Sequence, residues 1–134
     1  MFTFVVSASV ITWPKLPANP TFGVLGENVT LEWAYSLTLA AGDKFDYFVM
    51  RRREDSLDDY GEILKYGSDG KENVYDDYKG RFALAKNATP ALLLTNAKAS
   101  DERKYCCKVV TTNTVKQKCV NLKIIGKCLS LLSP

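Results

Sequence analysis

Cys106, Cys107, Cys119 and Cys128 are the most reactive groups in this chain of 134 residues, which contains no histidine. A thiol can attack as a thiolate, hold zinc, or pair with a second thiol. Without histidine, the Ser-His, Cys-His and His-zinc arrangements are excluded within the chain. The cysteines also lack the C-x-x-C knuckle of a zinc site, which leaves pairing as their expected role. Adjacent carboxylates occur at Asp58-Asp59, with Glu62 nearby, and at Asp76-Asp77. Such acids could hold Ca²⁺, but in turns they are ordinarily solvated. No glycine-rich phosphate loop and no G-x-S-x-G elbow is present. The expectation is a protein that is not an enzyme, with no cofactor, no metal and no small-molecule substrate.

The charge balance points the same way. Eighteen Lys and Arg against fifteen Asp and Glu give a net charge of +3. Arg51, Arg52 and Arg53 are followed at once by Glu54 and Asp55, which reads as a solvated strand end rather than a nucleic-acid surface. At this length one domain is expected, burying roughly two-thirds of the unfolded surface. No apolar run reaches the roughly 18 residues of a membrane span, so an anchor, if the domain belongs to a receptor, is expected outside this chain. Residues 1–20 read as a first strand or a signal remnant followed by a further strand, since Ser7-Ala8-Ser9 imitates a cleavage site without a basic region before it. Residues 1–125 form the domain and residues 126–134 a tail or the start of a linker.

The elements that must position these groups are strands. Val29, Leu31 and Trp33 alternate with Asn28, Thr30 and Glu32, which puts apolar side chains on one face. The same alternation marks residues 45–50, 62–66, 81–85, 91–95, 104–111 and 115–125, with turn-forming segments such as Gly26-Glu27-Asn28 and Gly67-Ser68-Asp69-Gly70 between them. Only residues 95–101 could make a helical turn. Short strands at this spacing imply a sandwich or barrel.

The most specific motif is Asp101-x-x-x-Tyr105-x-Cys107, preceded by Leu92-x-Leu94-x-x-Ala97. On these residues the chain resembles an immunoglobulin V-type domain. The resemblance implies an all-β, immunoglobulin-like β-sandwich of two antiparallel sheets with Greek-key topology, in which Tyr105 closes a tyrosine corner. It assigns residues 28–35 to strand B, 45–52 to C, 61–66 to C′, 81–85 to D, 92–97 to E, and the last two strands to F and G. It also pairs Arg81 with Asp101. Two departures stand out. Trp33 occupies the position of the strand B cysteine, so the usual bridge to Cys107 is impossible, and strand C offers Tyr47, Phe48 or Val49 where relatives bury a tryptophan. Burial of the Trp33 indole, about 200 Å² at roughly 25 cal/mol per Å², is comparable with the 2–4 kcal/mol of a disulfide.

In the F–G hairpin, a turn centred between Thr112 and Asn113 sets Cys106 opposite Cys119. A cross-strand bridge is expected there, with Cys107 either buried and free or reaching Cys128. The same register puts Lys118 opposite inward-facing Cys107, which suggests a bulge in strand G. The sequons at Asn28 and Asn87 suggest glycosylation and a secretory route.

Functionally, the resemblance implies an extracellular recognition or adhesion module of a cell-surface receptor, binding another protein through the C–C′–F–G face. The missing cysteine and the strand B sequence are most similar to atypical V-like domains of invertebrate surface proteins, including cnidarian allorecognition receptors. That likeness puts self-recognition ahead of a distinct ligand. A soluble secreted defence or carbohydrate-binding protein is the alternative. With Tyr47 and Val49 inward, Phe48 and Met50 point outward beside Tyr60 and Tyr66, making these four the expected partner contacts.

Overall fold

In the computed structural model, which describes residues 8–54, 59–85 and 90–126, alternation becomes eleven strands. They are β1 (Val10–Lys15), β2 (Thr21–Val24), β3 (Val29–Glu32), β4 (Ala34–Thr38), β5 (Phe45–Arg53), β6 (Tyr60–Gly67), β7 (Glu72–Val74), β8 (Phe82–Leu84), β9 (Ala91–Leu94), β10 (Lys104–Thr111) and β11 (Val115–Ile125). Short 3₁₀ turns, Asp76–Tyr78 and Ala99–Asp101, are its only helical pieces among the described residues.

One layer is a six-stranded sheet in the order β2-β11-β10-β5-β6-β7. The other is built from β3-β9-β8 together with the β1–β4 pair. β3 and β4 are separated only by Trp33, whose backbone N–H donates to the Pro90 carbonyl at 2.9 Å in register with the β3–β9 ladder. All pairings are antiparallel except β2 with β11, which run parallel. The two sheets are therefore antiparallel with one parallel edge, reached when the chain leaves β1, passes the cis Asn19–Pro20 bond and joins the opposite layer. Gly23 is required in β2, since a Cβ there would lie 2.6 Å from the Val29 side chain.

The core lies between the layers. Trp33, Met50, Ile63, Leu64, Tyr105 and Cys107 are fully buried in it, with Leu31, Leu92, Val109 and Leu122 around them. Burying side chains of this size from both layers is the main source of stability in such a sandwich. Aromatic rings line one end of the core: Tyr35 meets Trp13 and Phe48 edge-on, and Phe48 stacks on Tyr66 with centroids 5.2 Å apart. Phe48 thus fills the strand C position for which the sequence left three residues open.

Candidate binding face

The residues that close the sandwich come first, because they hold the sheet in place. The Tyr105 hydroxyl donates to the Asp101 carbonyl at 2.7 Å, across the short turn Ala99–Asp101. Burial pushes its pKa up to about 12, although Arg52 beside it acts in the opposite sense. The Asp101 carboxylate, almost fully buried, accepts from Arg81, from Arg52 at 3.3 Å and from the Lys98 backbone N–H at 2.8 Å. A buried carboxylate needs this many donors to offset its lost hydration. Arg52 also reaches Glu54 at 3.2 Å, and Glu54 accepts the Tyr78 hydroxyl. The Arg51–Arg53 run is consequently not a solvated strand end. Its middle residue points inward into this network, while Arg51 and Arg53 point outward.

A second network fixes the opposite end of the sheet. Asp43 is buried and accepts from Ser9, from Thr111 at 3.0 Å, and from the backbone N–H groups of Lys44 and Asn113 at 2.9 and 3.1 Å. These donors, Ser9 foremost, hold its carboxyl below the usual range. The β10–β11 hairpin is thereby pinned to the start of β5.

The face of the six-stranded sheet turned away from the core has a layout set by register. Tyr47, Val110 and Val115 stand in one row across β5, β10 and β11. The next row is Lys65, Val49, Lys108 and Gln117. Below it, Arg51 faces Cys106, which faces Cys119, and these two cysteines are joined in a disulfide at a sequence separation of 13. Arg53, Lys104 and Asn121 continue beneath. Cations lie over the rings of this face: Arg51 sits 5.1 Å from the centroid of Tyr60 and Lys65 sits 4.1 Å from that of Tyr47.

This layout corrects the expected contacts. Phe48 and Met50 do not point outward; they are 4% and 0% exposed and pack in the core, while Tyr47 faces out. Val49 faces outward too, yet is only 2% exposed, in the row where Lys65 and Lys108 flank it. Phe48, Val49 and Met50 form an unbroken apolar run, so no alternation was present to set the parity. Tyr66 is half-buried on the inner side against Phe48. Of the four residues, Tyr60 alone lies on the outer face, and the sequence analysis missed Tyr47, Val110 and Val115. Their signal was the hairpin register, which aligned the cysteines and equally aligns Val110 with Val115.

The expected bulge in β11 is also absent. The β10–β11 ladder runs without a break and Lys118 opposite Cys107 is exposed, on a stretch of β11 beyond its pairing with β2. The irregularity lies instead between β5 and β6, where Ile63 and Leu64 both turn inward. Cys107 is free and buried, and burial raises its thiol well above the ordinary range. Cys128 and Asn87 lie outside the described residues, as do residues 1–7, Asp58 and most of the tail. Asn28 is exposed just before β3, its Oδ1 accepting from the Asn96 N–H at 3.2 Å. Asp76 and Asp77 are exposed in the first turn of Asp76–Tyr78, and no group of three metal-binding side chains occurs among the described residues.

The comparisons with known proteins agree with this geometry. A family model described as the immunoglobulin V-set domain matches residues 17–125. Among solved structures, that of murine CRIg superposes with a TM-score of 0.68 at 16% identity, covering 89% of this chain and 99% of that one. No curated protein matches the chain.

Proposed function

Because the chain belongs to the immunoglobulin V-set domain family, whose members are typically non-enzymatic recognition modules of cell-surface proteins, we propose that it is an extracellular module binding another protein through the outer face of β5, β6, β10 and β11. The observation that carries this reading is the row Tyr47–Val110–Val115, which lies on the outer face beside the β10–β11 turn. Val115 is 52% exposed at the outer edge of this row. An apolar row beside aromatic rings and Arg51 has the composition of a protein contact.

The charge of the face bears on the choice of partner. Two copies meeting through the same patch would bring Arg51, Lys65 and Lys108 against their own equivalents, and like-charge juxtaposition is costly. Self-recognition would need a head-to-tail contact, for instance with the acidic edge carrying Glu72, Asp76 and Asp77. A distinct, acidic ligand is the better fit. An N-glycan on Asn28 belongs to the same reading, since that side chain lies away from this face and would leave it open.

A fluorescent tetramer of the domain should stain cells of the source organism. Val115→Asp and Tyr47→Ala should each weaken staining by roughly tenfold, with Thr30→Asp on the other layer having no effect. Loss through Thr30→Asp with retention in the other two would overturn the assignment of the face. Beads carrying only this domain should stay dispersed; beads that cluster would return the reading to self-recognition.

A further inference from the structure

Beyond the protein contact, we propose that the lower half of the outer face binds a sulfated polysaccharide. The net charge of +3 conceals a segregation that the sheet creates. Arg51, Arg53, Lys104, Lys108 and Lys123 share this face by register, and none of them forms an ion pair among the described residues. The Nε of Arg51 is buried without a hydrogen-bond partner there. The one carboxylate that register sets among these cations is Glu62, opposite Arg51. By contrast, Arg52, Arg81, Lys15 and Lys79, elsewhere on the molecule, each hold a carboxylate.

Two features point to a glycan rather than to an acidic protein. Between Arg53, Arg103, Lys104, Asn121 and Lys123 lies a groove of about 120 Å³, the space of about four liquid waters and enough for one tetrahedral anionic group. Glu102 also lines it, but its carboxylate accepts from the Ile124 N–H at 2.9 Å. Beside the groove, Phe22 pairs with Lys123 across β2 and β11 and is 62% exposed. An exposed ring next to a cationic groove offers a platform for the C–H face of a sugar while the cations take its sulfates. Cross-strand neighbours about 5 Å apart and same-face neighbours about 7 Å apart along a strand give the cations the spread of an extended polyanion. The centre of a protein interface, in contrast, is depleted in lysine.

Binding of the full chain to immobilised heparin tests the proposal. The wild-type domain should bind at physiological ionic strength, with affinity falling steeply as salt rises. The triple variant Lys104→Glu/Lys108→Glu/Lys123→Glu should bind roughly tenfold or more weakly, whereas Lys15→Glu/Lys44→Glu/Lys79→Glu, of identical net charge, should stay within about twofold. Phe22→Ala changes no charge, leaves the core untouched, and should weaken binding by roughly threefold. Equal weakening in both triple variants would reduce the effect to net charge and overturn the site. So would an unaffected Phe22→Ala, an absence of heparin binding, or binding of fully desulfated heparin or poly-L-glutamate as tight as that of heparin. None of these variants touches the Tyr47–Val110–Val115 row, so failure here leaves the protein contact standing.

Discussion

At the scale of the residue, the side chains that fix this molecule are polar groups with no water to fall back on. Tyr105 is fully buried and gives its only proton to a backbone carbonyl. Tyr105→Phe should therefore leave that acceptor unpaired and lower stability by about 1–3 kcal/mol in denaturant titration. A loss under about 0.5 kcal/mol would mean the corner holds without it. The same burial makes the fold sensitive to alkali. Tyr35, Tyr78 and Tyr105 all have pKa values raised to about 12, desolvation being the largest cause for each. Unfolded tyrosines ionise near 10, so the folded state favours the neutral phenol. Their contribution is complete below pH 10 and disappears as pH rises through about 12, with up to about 2–3 kcal/mol from Tyr105. Stability measured against pH should fall across that window, and less steeply in Tyr105→Phe. The motif around Tyr105 was legible because its spacing is rigid; the role of Asp43 was not, since its donors come from Ser9, Thr111 and Asn113, segments remote in sequence.

At the scale of the element, what could be read followed the strength of the alternation. Val29, Leu31 and Trp33 sit among polar neighbours, and their strand buries them as the pattern demands. The β10–β11 hairpin was legible down to single pairs because its turn fixes the register, and Cys106 does face Cys119. Strand β5 was illegible at its centre because both of its faces are buried there, as Phe48, Val49 and Met50 show. The bridge closes a short segment and spans two strands already paired. Cys106→Ser/Cys119→Ser should lower stability by about 2–4 kcal/mol, read from denaturant midpoints with and without reductant. Identical midpoints for the oxidised wild type and the double variant would show that the ladder alone sets the hairpin.

For the whole molecule, the central fact is the exchange of sulfur for an indole. Trp33 is fully buried in the cluster that also holds the free Cys107, and among the described residues no disulfide joins the two layers around it. Trp33→Ala should cost about 3–5 kcal/mol, a large part of the stability of a domain this size, and should show as a loss of cooperative thermal unfolding. Retention of a sharp transition within a few degrees of the wild type would mean the cavity collapses and the indole is replaceable. The sandwich and its corner could be argued from sequence. The gathering of cations on one face could not, because they come from β5, β10 and β11 and meet only when those strands lie side by side.

The parallel edge has a mechanical meaning. Thr21–Val24 of β2 and Leu122–Ile125 of β11 point the same way. Tension applied between the start of β2 and the end of β11 drags the two strands past one another along their length. Their hydrogen bonds are then loaded together and must give way together, rather than peeling apart in turn. A domain pulled by what it grips would yield at this seam late and abruptly.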